Sequence, residues 1–194
     1  MEKIEIEIIE GHDNSSYFWI MPAKVIDISK NSDDSDNIVK LRELEISIEE
    51  ENVRNFLYPI LLKYFDDSLL ENKKRVEQWY DVKSGFWWNL TENYYTFDSI
   101  IKMIDELKEI CELLEENYYD SRLDFIRNNY DWVLYCDDRI NPKNFPNDKN
   151  ERIKLASNYV CVIIDFYNRL TKFLEKMIED GTEKGYNLIS FMGP

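Results

Sequence analysis

The sequence predicts an α+β fold, an antiparallel sheet packed against three or four helices, and three observations carry that reading. Near the N-terminus Ile4, Ile6 and Ile8 alternate with Glu5 and Glu7, the period-two signature of a strand with one wet face. Three later stretches switch to three- and four-residue spacing, the period of a helix lying on a core. A last β-prone run, residues 186–192 (YNLISFM), follows the longest of these helices and is suited to a C-terminal strand.

Taken in order, the first strand is followed by a turn cluster over residues 11–16 and a β-prone run over 17–28. Pro22 interrupts that run, and because it lacks a backbone donor it is expected at an edge, a bulge or a break between two short strands. Residues 31–37 (NSDDSDN) form a polar turn. In residues 38–48, Leu44, Ile46 and Ile48 alternate with Glu43, Glu45 and Ser47 as in a further strand. Short polar links between successive strands favour an antiparallel meander.

Ser47 and Glu50 have the spacing of a capping box, and Val53, Phe56, Leu57, Ile60, Leu61 and Tyr64 trace the stripe of a first helix. Pro59 lies inside it, where the lost donor predicts a kink or split. Residues 75–81 and 86–95 are aromatic and β-prone around Val82-Lys83-Ser84-Gly85, which reads as a hairpin. The best-patterned helix comes next. Phe97, Ile100, Ile101, Ile104, Leu107, Cys111 and Leu114 lie on one side and Asp105, Glu106, Glu109, Glu112 and Glu116 on the other, with Thr96 or Asp98 as the cap.

Residues 131–137 fit strand and helix alike, and residues 139–150, with two prolines and several asparagines, form a loop. The last long helix runs over residues 151–180, with Ala156, Tyr159, Ile163, Phe166, Leu170, Phe173 and Met177 on one side. Val160, Cys161, Val162 and Ile164 predict that its middle is buried nearly all round, and Gly181 and Gly185 end it. The whole chain, residues 1–194, reads as one domain.

Charge is the strongest compositional signal: 24 Lys and Arg against 39 Asp and Glu give a net charge of −15 and a pI near 4.5. Phosphate neutralisation needs a basic surface, so nucleic acid is disfavoured, as is an anionic membrane. An acidic exterior suits a basic protein partner, whose encounter it would steer. The longest apolar run, residues 159–164, falls far short of the roughly 20 residues of a membrane span. No secretory signal is evident, Cys111, Cys136 and Cys161 read as reduced core thiols, and the expected compartment is the cytoplasm.

The single histidine, His12, lies in a turn and is expected to be exposed; without a second one, Ser-His-Asp or Cys-His chemistry would have to use it. No zinc motif or phosphate-cradling glycine loop is present, and no cofactor is expected. A calcium loop starting at Asp33 would place Ile38 where glycine is needed and Leu44 where glutamate is needed. Asp137-Asp138 fits a solvated loop better than a metal site.

The aromatic cluster Trp79, Trp87, Trp88, Tyr94 and Tyr95 is the candidate binding surface. Adjacent side chains on a strand face opposite ways, so Trp87 and Trp88 cannot both enter one core, and Trp and Tyr are favoured interface anchors. The functional expectation is a non-enzymatic protein-binding module with a basic partner, such as an immunity-type neutraliser of a basic toxin or nuclease. The alternatives are a small-molecule binding module with an aromatic pocket and an enzyme using paired carboxylates.

Overall fold

The computed structural model describes residues 4–13, 17–26, 38–66, 69, 92–136 and 141–193. Its strands are β1 (Ile9–Glu10), β2 (Tyr17–Val25), β3 (Ile38–Lys40), β4 (Ile46–Glu49), β5 (Glu92–Thr96) and β6 (Leu188–Met192). They form an antiparallel sheet in the order β1-β4-β2-β6-β5, with β3 also paired to β2. The fold is α+β. It is not a simple meander, because the C-terminal β6 lies between β2 and β5, with Ile20 opposite Phe191 and Tyr95 opposite Ile189.

Pro22 lies inside a continuous strand, and the break falls in its neighbours instead. Along one side of β2, β4 pairs with residues up to Ile20 and β3 takes over at Ala23. The Pro22 carbonyl accepts from the Leu41 amide at 2.8 Å on this side. In an antiparallel strand the N–H and C=O of a residue point the same way, so the donor that proline lacks falls at the gap between β3 and β4 rather than in the β6 ladder. Residues 38–48 are likewise two strands separated by the 3-10 turn Arg42–Leu44.

The N-terminal alternation survives in burial more than in pairing: Ile6 is buried and Glu5 and Glu7 are exposed, while only Ile9–Glu10 joins the ladder. Ile6 instead gives its carbonyl to the Arg169 guanidinium at 2.6 Å.

The first helical region comprises α1 (Glu50–Asn52), a π-helical turn (Val53–Leu57) and α2 (Tyr58–Tyr64). This is the split expected at Pro59, which occupies the first turn of α2, where a missing donor is tolerated. In an unbroken α-helix the residue-59 amide would bond the Asn55 carbonyl. The Asn129 side chain donates to it instead, at 2.8 Å. Two buried tyrosines serve the same region, Tyr167 donating to the Phe56 carbonyl at 2.7 Å and Tyr95 to the Leu61 carbonyl at 3.2 Å.

The Thr96 side chain caps α3 (Phe97–Glu116), accepting from the Ser99 amide at 3.1 Å, so β5 runs directly into the helix. The predicted stripe is buried except at Ile101, which is 45% exposed, and Phe97, which is half-buried. Short helices α4 (Asp124–Asn128) and α5 (Tyr130–Tyr135) follow, then α6 (Lys149–Ala156), a 3-10 turn (Ser157–Tyr159) and α7 (Val160–Glu183). Of the ambiguous stretch 131–137, residues 131–135 are therefore helical. α7 packs antiparallel to α3: Phe97 lies near Gly181, whereas Cys111 lies near Ile164.

Gly181 is inside α7 rather than at its end, and a Cβ there would lie 3.1 Å from Phe97 Cζ and 3.4 Å from Pro22 Cβ. The helix ends at Gly185, whose φ of 73° allows the Tyr186 amide to bond the Gly181 carbonyl and its own amide to bond that of Thr182.

The sheet has two apolar faces. Phe18, Ile20, Ile46, Ile48, Tyr95, Ile189 and Phe191 enter the main core beneath the helices, while Ala23, Tyr94 and Leu188 form a small cluster with Ile38 and Leu69. The apolar stretch 160–164, predicted to be the buried middle of one long helix, opens α7 instead and is not buried all round, because Cys161 is exposed. Burial pushes the thiols of Cys111 and Cys136 up to about 11, which suppresses the reactive thiolate. Alkylation of the native protein is expected to label Cys161 first and the other two only on unfolding, a pattern that mass spectrometry of timed samples checks.

Candidate functional site

A groove runs along α3. Lys102, Asp105, Glu106, Glu109, Ile110 and Leu113 recur at helical spacing and form one wall and the floor. Lys63 and Tyr64 from α2, Arg122 from the turn before α4 and Phe125 from α4 line the rest of a volume of about 550 Å³. Two ion pairs cross it, Lys63–Glu106 at 2.8 Å and Arg122–Glu109 at 2.7 Å. Over its full length α3 carries Asp98, Asp105, Glu106, Glu109, Glu112, Glu115 and Glu116 against only Lys102 and Lys108.

Arg122 also holds Asp120, with Nε 3.0 Å from Oδ1. Its side-chain and backbone hydrogen bonds keep the Asp120 carboxyl down at about 2. A carboxyl lowered in this way favours the folded state above its unfolded value of about 3.9, and the contribution fades as pH falls towards 2. An NMR titration is expected to find Asp120 well below the usual carboxylate range, and Arg122→Ala is expected to raise it part of the way back, because the residue-122 amide still donates to it.

A second constellation stands at the β1–β4–β2 end of the sheet. The Glu45 side chain, 1% exposed, accepts from His12 Nδ1 at 2.7 Å and from Arg42 Nη1 at 3.3 Å. Because a carboxylate only accepts, Nδ1 carries the proton of this hydrogen bond. The imidazole stacks on Trp19 with ring centres 4.8 Å apart. Ser47 Oγ donates to the Gly11 carbonyl at 2.6 Å and accepts from the Asp13 amide at 3.3 Å, so it braces the turn and is not aimed as a nucleophile. Trp19 Nε1 donates to the Asp13 carbonyl at 2.9 Å. The arrangement pins the β1–β2 turn to β4.

No family model, curated relative or solved structure matches the chain.

Of the residues singled out in the sequence, Tyr94 and Tyr95 are adjacent on β5, face opposite sides of the sheet and are both buried. Tyr95 meets Phe191 edge-on at 5.2 Å, and burial pushes its phenol well up. Trp79, Trp87 and Trp88 lie outside the described residues, as do Asp137-Asp138, the polar turn at 31–37 and most of the proposed hairpin.

His12, expected to be exposed, is 41% exposed at its side chain and held by Glu45. Sequence reasoning missed this pair because its members are 33 residues apart and meet only through strand pairing. Among the described residues no group of three or more His, Cys, Asp or Glu side chains is placed to hold a metal ion, and no helix is long and apolar enough to cross a membrane.

Proposed function

We propose that this chain is a protein-binding domain that captures a basic partner through its acidic helical surface, as an immunity-type neutraliser of a basic toxin or nuclease would. The observation that carries this reading is the seven-to-two excess of acids over lysines on α3, within a chain of net charge −15. One side of α3 is anchored in the core through Ile100, Leu107 and Leu114, which holds the outward carboxylates on a rigid frame. Fixed negative charge of this kind accelerates encounter with a positive surface and rejects anionic competitors. In a nuclease partner it would occupy the surface that otherwise takes phosphates.

The test is affinity capture from native lysate at low salt, beside an unrelated acidic protein of matched charge, with mass spectrometry of what each retains. Specific retention of a basic protein that leaves as salt is raised supports the reading. Retention of nothing beyond the control, or only of acidic proteins, contradicts it.

A further inference from the structure

We propose that the open end of the second sheet face, where Tyr17 and Trp19 stand beside Glu7 and Glu49, seats an arginine side chain of a protein partner. The strand register builds this surface. Tyr17 lies opposite Glu49, and Trp19 and Ile9 lie on either side of Ser47. Residues paired across strands share a face, as do alternate residues along one strand. Phe18, Ile20, Ile46 and Ile48 enter the main core, so Tyr17, Trp19, Ile9 and Glu49 stand on the other face, the one that carries Ala23 further along β2. Tyr17, Trp19 and Ile9 are half-buried there, and Glu7 and Glu49 are exposed.

Charge decides the occupant. Burial raises the Tyr17 phenol, and the carboxylates of Glu7, Asp13 and Glu49 raise it further, so the field at this ring is negative. The described cations around it are held by other groups: Arg42 by Glu45, Arg54 by Glu50 and Glu51, and Arg169 by Asp165 and the Ile6 carbonyl. Lys40 lies on the β6 side of Trp19, with Nζ 3.7 Å from Sδ of Met192. Glu49 accepts from the Asn52 side chain at 3.2 Å, and neither it nor Glu7 forms an ion pair with Lys or Arg among the described residues.

A guanidinium suits both halves of the surface, since its plane stacks on an aromatic ring and its edge donates to carboxylates. A second copy of the chain, also carrying −15, is repelled. The wall is fixed before a partner arrives, because Trp19 Nε1 donates to the Asp13 carbonyl at 2.9 Å and the His12 ring stacks on the indole. An anchor held in this way loses little freedom on binding. The contact goes beyond the acidic-helix reading, since it lies on the sheet face turned away from the main core that α3 joins.

The experiment titrates the isotope-labelled full chain at low salt with a capped glycine peptide carrying one central arginine. Its citrulline counterpart keeps the planar shape without the charge. Amide shifts are expected to concentrate in 7–9, 17–19 and 47–49 with the arginine peptide, and the citrulline peptide should bind about fivefold or more weakly. Glu7→Gln with Glu49→Gln should weaken arginine binding by about fivefold or more, and Tyr17→Leu by about two- to fivefold. Glu179→Gln with Glu183→Gln, the same charge change on α7, should alter it by no more than about twofold. Circular dichroism checks that each variant is folded. Equal binding of the two peptides, or shifts centred on 102–113 and unmoved by Glu7→Gln with Glu49→Gln, overturns this seat and leaves the acidic-helix reading to its own capture test. Absence of any shift with the arginine peptide overturns the seat as well.

Discussion

Replacing Tyr167 by alanine is expected to remove about 3–5 kcal/mol of folding stability, the range for deleting a fully buried aromatic ring. Tyr167 is 0% exposed, packs on Phe166 and reaches from α7 to the Phe56 carbonyl in the π-helical turn. Its two contributions separate by substitution. Tyr167→Phe keeps the ring and strands the carbonyl, which is expected to cost about 1–3 kcal/mol. Urea unfolding should show both midpoints falling with unchanged slope, alanine further than phenylalanine. If Tyr167→Phe were as stable as the parent, the hydroxyl would not be what satisfies the irregular turn.

The second large effect is expected where Glu45 is buried. Removing both donors, as His12→Ala with Arg42→Ala, leaves a carboxylate that is 1% exposed without its partners. Breaking a buried pair typically costs about 3–5 kcal/mol. The lower end, about 3 kcal/mol, applies here because both partners are largely exposed at their side chains and water can follow their removal. Adding Glu45→Gln to the pair should recover most of the loss by neutralising the stranded charge. If Glu45→Gln made the double variant less stable still, the buried carboxylate would be held by something other than His12 and Arg42.

Local periodicity made much of the fold legible. The stripe on α3, the capping threonine at its start and the C-terminal strand all follow from spacing and residue type. Ile101 shows the limit of that reading, since it fits the three-and-four pattern yet lies just past the edge of the buried face, where 100° per residue carries it into water. Pro22 was recognisable as a break, but whether the strand or its neighbours would break depends on which side of β2 its missing donor faces. That is set by the register with β3 and β4 and not by nearby residues.

The candidate surfaces divide in the same way. Acids along α3 are visible as a helical stripe, whereas the cations that cross to them come from Lys63 and Arg122, on other elements. His12 carries no signal of its burying partner, because Glu45 reads as the polar side of an alternating run, lies just before β4, and meets Gly11 and His12 only once β1 pairs with β4. Tyr94 and Tyr95 illustrate the reverse case: their types suit an interface, and their positions in the sheet place both rings inside.

The central claim, that the acidic helical surface exists to bind a basic protein, is tested most directly by the salt dependence of affinity for the protein the chain retains. Titration calorimetry at about 0.05 M and about 0.5 M salt spans conditions from weak to strong screening. The account predicts that the partner is basic and that its affinity falls by about tenfold or more over that range. An affinity that does not change with salt would contradict it, as would a retained partner carrying net negative charge.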